Sequence, residues 1–96
     1  MKLYLISQNT NNNYDTYDSA IVCAENEEEA RLICPDDNIL YYPDLKKFAC
    51  INTDSNGTHY RAHNWCELLE DVKVLYIGEA KKELEKGVVC ASFNAG

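Results

Sequence analysis

Asp15 and Asp18 are the first side chains in this sequence whose type and spacing could do chemistry. In extended chain their separation sets the two carboxylates roughly 10 Å apart, close to the acid–base spacing of inverting glycoside hydrolysis. Acid–base work also needs a cleft and a shifted pKa, and the run Tyr14-Asp15-Thr16-Tyr17-Asp18-Ser19-Ala20 signals neither. The simpler expectation is that each Asp bonds backbone amides at a turn leading into a strand. His59 and His63 share a face at their i, i+4 spacing, but no third ligand and no His-Glu-x-x-His helix accompanies them. Five cysteines, at 23, 34, 50, 66 and 90, form no Cys-x-x-Cys pair, and neither histidine sits near a compatible Cys pair. No zinc site is expected from that spacing. No cysteine lies in a basic or helix-start context that would favour the thiolate. The glycines at 57, 78, 87 and 96 are scattered, so no phosphate-cradling loop is present. The expectation is a non-enzymatic protein without metal or cofactor.

Recognition suits these residues better than catalysis. Two Tyr-Asp pairs stand before the apolar run Ile21-Val22-Cys23-Ala24, and the chain closes on Val88-Val89-Cys90-Ala91 followed by Ser92-Phe93-Asn94-Ala95-Gly96. Tyr14, Tyr17, Trp65 and Phe93 could stack a planar base, while Asp15, Asp18, Ser19, Ser92 and Asn94 could fix its polar edges. Arg31, Arg61 or Lys86 would then have to meet any phosphate. For a single tyrosine among the seven present, packing in a strand is the simpler role.

Composition narrows the partners. Sixteen acids against nine bases leave a net charge of −7, which argues against binding nucleic acid or anionic membranes. An acidic face could instead occupy a basic groove on another protein. Residues 1–96 are expected to form a single domain. Met1-Lys2-Leu3-Tyr4 reads directly as a strand with no signal-peptide core, and no apolar run is long enough to span a bilayer. A reduced, cytosolic protein is expected.

The elements that must position these groups can be read along the chain. Lys2 to Gln8 alternates as a strand, Asn9 to Asn13 breaks it, and Ser19 to Ala24 is a second strand. Asn26 with Glu29 makes a capping box, the acids at 27–29 suit a helix start, and Pro35 ends the helix. Ala30, Ile33 and Cys34 form its buried stripe. Residues 36–45 are expected as loop. Lys47–Asn52 and Thr58–Arg61 flank an Asn-Gly turn and predict a β-hairpin. Trp65 to Leu69 suggests one helical turn, Val72 to Gly78 a strand, Ala80 to Lys86 a short helix, and Gly87 to Phe93 a last strand. This is an α+β pattern: a small antiparallel or mixed sheet of about five strands, with one main helix on one face. The other sheet face would be solvated or buried in a homo-oligomer.

The blocks Tyr14–Val22, Ala24–Arg31, Val72–Val74 with Ile77–Ala80, and Gly87–Gly96 resemble a family of small phage and prophage proteins. That family shares a YDxYDSxVVxA opening followed by EEEAR, and a VVxASFNAG ending. Residues 36–64 fall outside the resemblance and read as an insertion carrying the hairpin. The resemblance implies a genomic setting more than a mechanism, namely a phage accessory protein acting in the cytoplasm of its bacterial host. The expected function is to counter antiviral defence by sequestering a small nucleotide immune signal. Docking as an acidic inhibitor on a host immune protein is the alternative, and a small nucleotide hydrolase using Asp15 and Asp18 is a further one.

Overall fold

Period-two alternation organises the first sheet. Tyr4 and Ile6 are buried while Leu3, Leu5 and Ser7 between and beside them stay half-buried. Tyr4 faces Val22 and Ile6 faces Ala20 across an antiparallel pair, so the buried side chains of both strands share one face. The computed structural model describes residues 1–12 and 14–94. Asn13, from the expected asparagine breaker, and Ala95-Gly96, from the closing motif, lie outside the described residues.

In chain order the elements are β1 (Lys2–Ser7), β2 (Thr16–Ala24), α1 (Glu27–Leu32), β3 (Ile39–Tyr42), β4 (Lys47–Thr53), β5 (His59–Arg61), a 3-10 turn (Leu69–Asp71), β6 (Lys73–Glu79) and β7 (Gly87–Asn94). They form a four-stranded sheet in the order β6-β1-β2-β7 and a three-stranded sheet in the order β3-β4-β5. Every pairing among the described residues is antiparallel. The core joins the two sheets: Tyr4, Ile6, Ala20 and Val22 from the first meet Ile39 and Phe48 from the second, with Ala30 of α1 alongside. Trp65 and Cys66, on the connection after β5, complete it and are almost wholly covered.

The α+β expectation therefore needs correction toward strands. Among the described residues seven strands in two sheets replace about five in one, and the main helix is only six residues long. Its start is as expected: Asn26 accepts from the Glu29 N–H at 2.9 Å. The Glu29 carboxylate reaches back to the Glu25 N–H at 3.0 Å, one residue beyond the usual capping-box partner. Ile33 and Cys34 lie past the last turn yet still pack on the core.

Residues 39–42, expected as loop, are β3. Prolines at 35 and 43 bracket them and hide a strand of only four residues, which is held by pairing with β4. The Tyr42–Lys47 turn is closed by Leu45 N–H to the Tyr42 carbonyl at 3.1 Å and Lys46 N–H to the Pro43 carbonyl at 3.2 Å. The Asn-Gly hairpin is present, with Gly57 at φ 81° and the Asp54 carboxylate accepting from the Asn56 and Thr58 N–H groups. Two expected helical turns are absent. Ala80–Lys86 makes a turn with Leu84 N–H on the Lys81 carbonyl, because a segment that short with only Ala80 and Leu84 apolar cannot offset helix nucleation. Trp65–Leu69 is irregular chain, and the 3-10 turn begins only at Leu69. Among the described residues, no helix is long and apolar enough to cross a membrane.

Candidate functional site

Pairing of β2 with β7 joins the two polar-aromatic segments that the sequence places at opposite ends of the chain. Tyr17 faces Phe93, Ser19 faces Ser92 and Thr16 faces Asn94. The Tyr17 and Phe93 rings meet edge to face with centroids 4.8 Å apart, the arrangement that aromatic quadrupoles favour. The Asp15 N–H donates to the Asn94 carbonyl at 2.6 Å and the Tyr17 N–H to the Asn64 carbonyl at 2.9 Å. The Tyr-Asp segment is thus gripped by β7 on one side and by the Trp65-bearing connection on the other.

Gln8 holds the same segment from within. Its buried amide donates to the Asn11 and Tyr17 carbonyls, both at 2.7 Å, and accepts from the Asn11 N–H at 2.9 Å. Asn11 in turn donates to the carbonyls of His63 and Trp65 at 3.0 and 3.2 Å. A buried amide that satisfies three backbone groups fixes the loop as firmly as a strand would.

Within this frame the two carboxylates differ in setting. Asp15 has φ 59°, a left-handed conformation that Asp tolerates better than most residues. Asp18 is the extra residue of a bulge, because Tyr17 and Ser19 face consecutive residues of β7. A bulge re-aims its side chain out of the regular alternation. The Asp18 carboxylate stands exposed and accepts a long 3.5 Å bond from the Ser19 hydroxyl. Tyr14 is 76% exposed and Phe93 46%, so both offer ring surface. Ser92 and Asn94 are exposed as well.

Trp65 does not belong to this surface. It is 0% exposed, and its indole N–H finds no partner among the described residues. The expected stacking role is corrected by its size: the largest side chain of the chain is the one whose burial stabilises a small core most.

Two cavities lie elsewhere. One of about 560 Å³ is bordered by Asn11, Arg61, His63, Trp65, Glu67 and Asp71 among others, with an Arg61–Glu67 ion pair of 2.8 Å at its rim. The other, of about 520 Å³, is bordered by Arg31, Tyr41, Lys46 and Leu68–Glu70. Of the nine residues expected to bind ligand, only Trp65 borders either. The first cavity went unnoticed in the sequence because its walls come from residues 10–11 and 61–71, far apart in the chain and joined here by the Asn11 amide. Its one local signal is the polar run His63-Asn64 set directly before Trp65.

The fold also creates a cysteine–histidine neighbourhood that spacing did not suggest. Cys50 Sγ lies 3.7 Å from His63 Nδ1 and donates to the Arg61 carbonyl at 3.2 Å. Burial, with the Asp36 charge adding to it, pushes the Cys50 thiol above its ordinary pKa, which favours the thiol over the nucleophilic thiolate. Burial likewise pushes Cys34 and Cys66 up to about 12. Among the described residues no group of three or more His, Cys, Asp and Glu side chains is arranged to hold a metal ion. Comparison of the chain with protein families, with curated proteins and with solved structures finds no match.

Proposed function

We propose that the protein is a non-enzymatic binding module whose recognition surface is the joined Tyr14–Ser19 and Ser92–Asn94 patch. The ligand class that suits it is a small nucleotide. In the phage setting implied by the sequence resemblance, that nucleotide is a bacterial immune signal held out of reach of its receptor. The observation that carries this reading is the pairing of β2 with β7, which makes the Tyr17–Phe93 ring pair and leaves the exposed Asp15, Asp18 and Asn94 along the same stretch of the two strands. Aromatic faces stack any base, and the polar rim can select its exocyclic groups.

Calorimetric titration with cyclic ADP-ribose and cyclic di-AMP tests it. Binding is expected for at least one, with Phe93→Ala and Tyr17→Ala each weakening it by about tenfold, the scale of one base–aromatic stack. Absence of heat with both nucleotides would remove the reading. A second reading, an acidic face docking on a host immune protein, is favoured by the openness of the patch, no residue of which borders either cavity. In that case complex formation with the target would weaken as salt rises.

A further inference from the structure

The recognition patch carries two carboxylates and no basic side chain between Tyr14 and Ser19 or between Ser92 and Asn94. A nucleotide captured there would find stacking surface but nothing to meet its phosphate. The patch also ends at an open rim. Among the described residues β7 pairs with β2 at one edge, and its other edge adjoins no further strand. From Val88 to Asn94 every residue of β7 is exposed, on both faces of the sheet.

That edge is unusual for this chain in its charge. The protein carries −7 overall, yet Gly87–Asn94 contains no acidic or basic side chain. The opposite rim of the same sheet, β6, ends in Lys73 and Glu79 and is bulged against β1 near Tyr76, two common protections of a free edge. β7 is itself bulged at Val89 against β2 but has no charge to protect it, and from Cys90 to Ser92 it runs in regular register with β2. Two copies of so acidic a molecule repel each other wherever their surfaces carry charge. An uncharged strip exposed on both faces is where a second copy can approach without like charges meeting.

We propose that two copies pair edge to edge through β7, and that the partner's Lys86 completes the recognition patch. The second half of this rests on the nucleotide reading; the first half does not. Directly opposite residues of an antiparallel pair share a face, so the two-fold axis passes through Cys90 opposite the partner's Cys90 and sets Phe93 opposite the partner's Gly87. The partner's Lys86, the residue before that glycine, then lies opposite Asn94 about one strand spacing (~4.8 Å) away in backbone, and its ammonium arrives at the Phe93–Asn94 end of the patch. In its own subunit Lys86 is half-exposed and holds Glu29 at 3.4 Å, a surface pair weak enough to yield to a phosphate. Each dimer has two such sites, related by symmetry. A single-strand ladder buries less than the roughly 800 Å² per partner of a standard interface. The pairing is therefore weak and tightens when ligand binds across it.

Sedimentation equilibrium of the full chain from about 1 µM to about 1 mM tests the pairing. The mass should rise from 10.9 kDa towards twice that value. A short bis-maleimide should link two copies through the exposed Cys90 and fail to do so in Cys90→Ser. Ala91→Lys, which places like charges on either side of the axis, should return the monomer with an unchanged far-UV spectrum, and Val89→Lys serves if that variant misfolds. A mass fixed at the monomer value throughout would overturn the pairing. For the second half, Lys86→Ala should keep the dimer and weaken cyclic ADP-ribose or cyclic di-AMP by about tenfold. Unchanged affinity would overturn the role of Lys86. No binding of either nucleotide by the unaltered chain would remove that role together with the nucleotide reading, while the mass still decides the pairing.

Discussion

Asp15 shows how one residue links local geometry to the recognition surface. Its φ of 59° and its N–H bond to Asn94 hold Tyr14 outward and Tyr17 inward against Phe93. A β-branched residue tolerates that conformation poorly, because its side chain crowds the following carbonyl. Asp15→Val is expected to cost about 1–2 kcal/mol, and Asp15→Gly well under about 1 kcal/mol. Urea unfolding followed by Trp65 fluorescence measures both. If both variants cost the same, backbone strain does not govern the position and the carboxylate does. The Tyr-Asp repeat was visible in the sequence as a pattern, but which tyrosine packs and which projects was not. That depended on Asp18 being a bulge, and a bulge is defined by the partner strand, sixty and more residues away in the chain.

Among the elements, the helix was the most legible and the second sheet the least. Asn26, Glu29 and the acids between them encode a helix start within four residues, so no distant contact is needed to recognise it. Asn26→Ala should therefore cost about 1 kcal/mol, seen as a lower urea midpoint with the cooperativity of unfolding unchanged. A loss below about 0.3 kcal/mol would mean the packing of Ala30, Ile33 and Cys34 alone holds the segment. By contrast, β3 and β5 have only four and three residues. Strands so short carry too little alternation to be told from loop: β5 is legible through the Asn-Gly turn before it, whereas pairing with β4 is what makes β3 a strand. Residues 36–64, which fall outside the sequence resemblance, supply this whole sheet and give Ile39, Phe48 and Cys50 to the shared core.

For the whole molecule, the cysteines couple stability to pH. Burial holds Cys34 and Cys66 neutral up to about 12, whereas an unfolded thiol ionises near 8.5–9. The unfolded chain thus loses protons first, and the stability these thiols contribute is complete below about pH 9 and falls away as pH climbs towards 12. Urea midpoints should drop across that alkaline window, and less steeply in Cys34→Ala and Cys66→Ala. An equal slope in both variants would assign the drop to other groups. By itself the sequence determined the local signals: the capped helix, the Asn-Gly hairpin, the alternation of β1, and the polar-aromatic segments near both chain ends. Each of these is written in a few neighbouring residues through dihedral preference, capping chemistry or side-chain period. Only the tertiary structure decided that Trp65 is core and not ligand surface, that the chain makes two sheets, and that β2 lies against β7. Those outcomes follow from total apolar burial and from which distant strand supplies the matching edge, quantities that no short stretch of residues carries.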